Sequence, residues 1–167
     1  ARALGQEQVR LSRFREAAEV ARAVCARAEA GGAVDGEWFN NLGFLLREYG
    51  SQVEGGTVVE PGADAAARAA EIFRESWRAY ERAVALAPDD ARIVNDAALM
   101  QIYHVRDNLE RAEALEQAAI RAGLVKLELL GPDADDADRF PVAQAIGDAY
   151  ENLAYLWDHL HGDHERA

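Results

Sequence analysis

The stretch Phe39-Asn40-Asn41-Leu42-Gly43-Phe44-Leu45-Leu46 returns twice in altered form. It reappears as Ile93-Val94-Asn95-Asp96-Ala97-Ala98-Leu99-Met100 and as Tyr150-Glu151-Asn152-Leu153-Ala154-Tyr155-Leu156-Trp157. Aligned on Asn41, Asn95 and Asn152, each copy has a large apolar residue two before the asparagine. A small residue (Gly43, Ala97, Ala154) stands two after it, and a leucine four after it (Leu45, Leu99, Leu156). A small residue four positions from a bulky one shares its helix face and lets a second backbone come close. Repetition of one helical phrase describes an array of similar hairpins, which favours binding or assembly over catalysis.

Outward from these phrases the chain punctuates itself into helices. Phe14, Ala17, Ala18, Ala21, Val24, Cys25 and Ala28 recur every three or four residues, so residues 1–32 are an N-terminal helical segment ended by Gly31-Gly32. Asp35 suits the N-cap of a first hairpin over 35–88, whose first helix is expected to stop at Gly50. Gly55, Gly56, Pro61 and Gly62 mark a loop insertion at 51–63. A long helix with Ala70, Phe73, Trp77, Tyr80, Ala83 and Val84 on one face closes that hairpin. The second hairpin spans 89–130, with a turn at Asp107-Asn108, and Gly123 is expected to weaken or end its second helix. The third, 136–167, opens with a helix from about Arg139, where Pro141 is tolerable only near the first turn. Its second helix begins at His164-Glu165-Arg166-Ala167 and breaks off. Without an initiator Met, the chain reads as part of a longer protein, or as one whose apolar C-terminal end a second copy covers.

These residues resemble the tetratricopeptide repeat. Phe39, Leu42, Gly43 and Leu46 match its first helix, and Ser76, Tyr80 and Pro88 occupy the small, aromatic and proline places that follow. In the second repeat Ala97 and Ala112 fit, but Asp96 replaces the usual leucine and Glu116 the usual aromatic; in the third, Leu153, Ala154 and Trp157 fit. Successive asparagines lie 54 and 57 positions apart, against about 34 in the family, so the hairpins carry insertions. The resemblance implies an all-α fold of antiparallel hairpins stacked as a short right-handed solenoid. It also implies a protein-binding scaffold with no catalytic role. A different array of α-hairpins is the alternative.

The bulk composition narrows the partners. A chain of 167 residues with 50% hydrophobic residues can bury a core. Its net charge of −12 disfavours nucleic acid and anionic membrane, and it contains no apolar run of membrane-spanning length. The lone Cys25 reads as a small core residue.

The candidate groove comprises Asn41, Phe44, Glu48, Asn95, Gln101, Asn152, Tyr155 and Asp158. The resemblance implies that the asparagines face an extended peptide, whose backbone an amide can both donate to and accept from. The other reading is that they brace adjacent helices. Arg47 is the single basic residue expected on these faces, so the expected partner is a neutral to basic protein or peptide with an apolar anchor. Self-assembly as a homo-oligomer through the C-terminal end, or a regulatory domain of a larger protein, is the alternative. His159, His161, Asp163 and His164 are weak metal candidates without a recognised spacing, and no cofactor is expected. The cluster Asp133, Asp135, Asp136 and Asp138 lacks the glycine and distal glutamate of a calcium loop and reads as helix capping.

Overall fold

Each helix after the first starts where a short acidic or amide side chain meets the free amides of its first turn. Asp35 accepts from the Glu37 amide at 2.9 Å, Asp90 from those of Arg92 and Ile93, Asn108 from that of Arg111, and Asp135 from that of Ala137. The computed structural model describes residues 13–59, 62 and 64–162, without the side chain of residue 161. Its helices are α1 (Arg13–Gly31), α2 (Gly36–Glu54), α3 (Ala65–Leu86), α4 (Ala91–Met100), α5 (Leu109–Leu130) and α6 (Asp136–Tyr155). A π turn over Gln101–Val105 extends α4, and another over Leu156–His161 extends α6. The described residues contain no strand, so the protein is all-α. The opening residues 1–12 and the tetrapeptide 164–167 lie outside the described residues.

The chain divides into two compact units, Ala1–Leu86 and Ala87–Ala167. In the first, α2 and α3 form an antiparallel pair and α1 packs on α2. The pair is set by two glycines seven residues apart. A Cβ on Gly43 would stand 2.8 Å from the Tyr80 ring, and one on Gly50 2.6 Å from the Phe73 ring. Tyr80 and Phe73 are also seven apart, running the opposite way, so each ring lies over a bare patch of backbone. Ser76 stands between them and donates its hydroxyl to the Gly43 carbonyl at 2.7 Å while fully buried. The α1 helix is tied to α3 by Arg22, whose guanidinium forks onto Glu75 at 2.6 and 3.0 Å, and by Arg82 with Glu29 at 3.1 Å. Cys25 is buried, its thiol contacts the Trp38 carbonyl at 3.5 Å, and burial pushes its pKa up, as suits a packed and unreactive side chain.

Gly50 therefore does not stop its helix. The α2 helix continues to Glu54, ended by Gly55 and the left-handed Gly56, which shortens the expected loop. Gly123 likewise sits inside α5, where a Cβ would lie 2.5 Å from Ile146 of α6, and the helix runs on to Leu130. In both cases close packing of a neighbouring side chain keeps a glycine helical where local preference favours a break. The α6 helix begins three residues earlier than expected, at Asp136, so Pro141 falls in its second turn.

The second unit packs α5 against both α4 and α6. Its core includes Ile102, Ala112 and Leu156, with Tyr103, Tyr155, Trp157 and Leu160 partly buried around them. Of the three small phrase positions, Gly43 and Ala97 are buried and Ala154 is half-buried. No helix among the described residues is long and apolar enough to cross a membrane.

Candidate functional site

Along α6 and its π turn, Glu151 and Asn152 lie three and four residues from both Asp148 and Tyr155, and His159 four beyond Tyr155, so the five form one stripe. Tyr155 stacks on His159 at 4.6 Å and meets Tyr103 of the first π turn at 5.0 Å, the two rings tilted by 35°. His159 Nδ1 lies 3.2 Å from Asp158 Oδ2. A ladder of three rings is thereby bordered by the carboxylates of Asp148, Glu151 and Asp158, the first two exposed and the third half-buried.

Beneath the ladder lies a polar network. The Tyr103 hydroxyl donates to Asn152 Oδ1 at 3.1 Å, and Asn152 Nδ2 donates to Asn95 Oδ1 at 3.0 Å. Both asparagines are buried and link α4 to α6. Fully buried Glu116 of α5 sits close by, and neither of its oxygens has a hydrogen-bond partner. Burial pushes its carboxyl up to about 9; the Asn152 amide opposes this, while Asp96 and Asp148 reinforce it. Asn152 acts on that carboxyl across space without reaching hydrogen-bonding geometry. Burial also raises Tyr103, helped by Tyr155, Glu116 and Glu151.

Several expected groove residues are placed differently. Asn95 and Asn152 are 5% and 7% exposed and spend their amides on each other, so they brace helices and do not line an open surface. Gln101 is 1% exposed, and its side chain accepts from the Asn108 amide where α5 begins. Asn41 does not share their position. It is exposed and donates to Glu37 at 3.3 Å, while its neighbour Asn40 is buried. In the first unit Phe44 is 40% exposed, edge-on to Phe14 at 6.1 Å. The Arg47 guanidinium lies 5.1 Å over the Phe44 ring and bonds Glu48 at 3.0 Å. Tyr155 belongs to the ladder and Asp158 borders it. The described residues hold no group of three potential metal ligands; Asp163, His164 and the side chain of His161 lie outside them.

The composition of this site was only partly visible beforehand. Glu116 stood out as a departure from an aromatic position, yet its spacing to Ala112, Ala119 and Ile120 already placed a carboxyl on the apolar stripe of α5. A second surface belongs to α5 and the start of α6. Val125, Leu129 and Phe140 are 56%, 78% and 68% exposed. Val125 and Leu129 line a cleft of about 490 Å³ together with Arg121 and Lys126.

Comparison with protein-family models, curated proteins and solved structures finds no match to the chain.

Proposed function

We propose that the chain is a protein-interaction module built, like tetratricopeptide repeats, from hairpins in a short right-handed solenoid. In this reading the acidic, aromatic face of its second unit receives a basic segment of a partner. The observation that carries it is the Tyr103–Tyr155–His159 ladder with Asp148, Glu151 and Asp158 at its margin. A guanidinium or ammonium over such rings gains about 0.5–1 kcal/mol at an exposed site, and each exposed carboxylate adds about 0.2–1 kcal/mol. Recognition thus needs several weak contacts at once, with an apolar side chain of the partner against Tyr155. Phe44 and Glu48 of α2 show the same combination of ring and carboxylate, already engaged by the chain's own Arg47.

The test is fluorescence anisotropy with matched basic and acidic peptides, each carrying one leucine. The basic peptide should bind more tightly, and the preference should shrink with salt. Neutralising Asp148 and Glu151 together should weaken it about two- to thirty-fold, from two contacts of surface strength. Equal binding of both peptides, or insensitivity to salt, would refute the reading.

Self-association is a second reading, favoured by the exposed Val125, Leu129 and Phe140. Light scattering across concentration tests it. A dimer that dissociates in Leu129→Glu would support it, and a monomer at every concentration would remove it.

A further inference from the structure

The α5 helix is apolar on two sides. Its inward stripe consists of Ala112, Glu116, Ala119, Ile120 and Gly123, all buried. A second stripe, Ala118, Ala122, Val125 and Leu129, advances by four, three and four residues, which is the spacing of a coiled-coil seam. These four residues line the α5 cleft of about 490 Å³, where Val125 is 56% and Leu129 78% exposed. Pro88, Asp89, Arg121 and Lys126 complete it. In heptad terms Ala122 and Leu129 take position a, and Ala118 and Val125 position d. Arg121 and Glu128 then fall at g and Lys126 at e, the flanking places whose charges choose a helix's partner and its direction. The side chains of Arg121, Lys126 and Glu128 are exposed and have no hydrogen-bond or ion-pair partner among the described residues.

We propose that this seam pairs with the same seam of a second copy of the chain, the two α5 helices running antiparallel across a twofold axis. In an antiparallel pair each a residue packs on a d residue of the other helix. Ala122 then meets Val125, and Ala118 meets Leu129. Every layer sets a small side chain against a larger one, so the helices approach closely without leaving a void. Between those layers Arg121 faces Glu128 of the second copy, and the twofold axis makes that pair twice. Lys126 falls opposite Ala119 of the second copy and meets no like charge. A parallel pair would instead set Arg121 against Lys126 on both flanks, so the chain's own charges select the antiparallel arrangement. A purely acidic helix would answer Arg121 and Lys126 but repel Glu128, whereas α5 itself supplies both signs in the right order. The inference rests on the self-association reading above, to which it gives a surface, a direction and a register.

Exposed ion pairs of this kind add little affinity, so burial of Val125 and Leu129 supplies most of the binding and the charges set the direction. Light scattering of the intact chain across concentration should show a dimer. Arg121→Glu and Glu128→Arg, both at exposed positions, should each raise its dissociation constant about two- to thirty-fold, two pairs being lost at once. Combined in one chain, the two changes should return it to the unaltered value. Unchanged circular dichroism checks that each variant keeps its helices. A dimer tightened by Arg121→Glu would be parallel, because the new carboxylate would then face Lys126, and that result would overturn the proposal. A dimer indifferent to all three variants would associate through another surface, which overturns the proposal and leaves the self-association reading standing. A chain that stays monomeric throughout removes both, whether or not a labelled acidic amphipathic peptide binds the seam.

Discussion

A methyl group added at Gly50 would stand 2.6 Å from the Phe73 ring, whereas one added at Gly147 would meet nothing within 4 Å. The first substitution overpacks the α2–α3 crossing, and the second only removes backbone freedom from an exposed helix position. Gly50→Ala should therefore lower stability by about 1–3 kcal/mol, and Gly147→Ala should raise it by about 0.5–1 kcal/mol. Urea midpoints check both; shifts of the same sign would show that the crossing is not close. Asn152 invites a different test, because it serves two partners. Asn152→Ala strands the Tyr103 hydroxyl and Asn95 Oδ1, and should cost about 1–3 kcal/mol. A loss much smaller than that would mean water replaces the amide. The sequence exposed the repeated asparagine but not its surroundings. Asn40 and Asn41 are adjacent and alike, and only tertiary packing decides which turns inward.

At the level of a helix, capping and proline placement set the terms. The α4 helix has only ten residues and relies on Asp90, whose carboxylate accepts from two amides of its first turn. Asp90→Ala should cost about 0.5–2 kcal/mol, seen as a lower melting temperature. Pro141 occupies the sixth position of α6, where it cannot donate to the carbonyl one turn back and its ring crowds that turn. Pro141→Ala should stabilise the protein by about 1–3 kcal/mol. An unchanged or lowered melting temperature would show that Pro141 earns its place by packing beside Val142 and Ala145 on their cleft. Helix existence was legible from period and caps, since both depend on residues three or four apart. Helix length was less so: α2 outran Gly50, and α5 outran Gly123, because the rings and methyls that hold those glycines helical come from other helices.

Across the whole molecule the strongest consequence is electrostatic. Glu116 is raised from an ordinary value of 4.5 to about 9 in the folded state. Between those values the unfolded chain has given up the proton and the folded chain has kept it, so the folded state binds more protons. Stability should then be highest below about pH 4.5, as far as this group is concerned, and should fall steadily as pH rises toward 9. Glu116→Gln should flatten that slope in chemical denaturation measured across the range. A slope shared equally by the variant would place its origin elsewhere. The net charge of −12 adds its own repulsion, which salt screens, whereas the buried carboxyl is screened far less. Measuring the slope at two salt concentrations separates them.

By itself the sequence determined what local rules govern. It set the all-α class, the main capping residues and the burial of Cys25. Periodicity, caps and composition act within a turn or two, and these were legible for that reason. The second repeat also showed its two irregularities, Asp96 and Glu116, though as isolated departures from a pattern. Only tertiary structure brought Glu116 beside the buried Asn95–Asn152–Tyr103 network, with half-buried Asp96 outside it. The same holds for the inward turn of Asn40 and the continued helix at Gly50 and Gly123. Each depends on a neighbour tens of residues away, whose register and distance no local pattern encodes, and whether a carboxyl keeps its proton depends on that neighbour's charge.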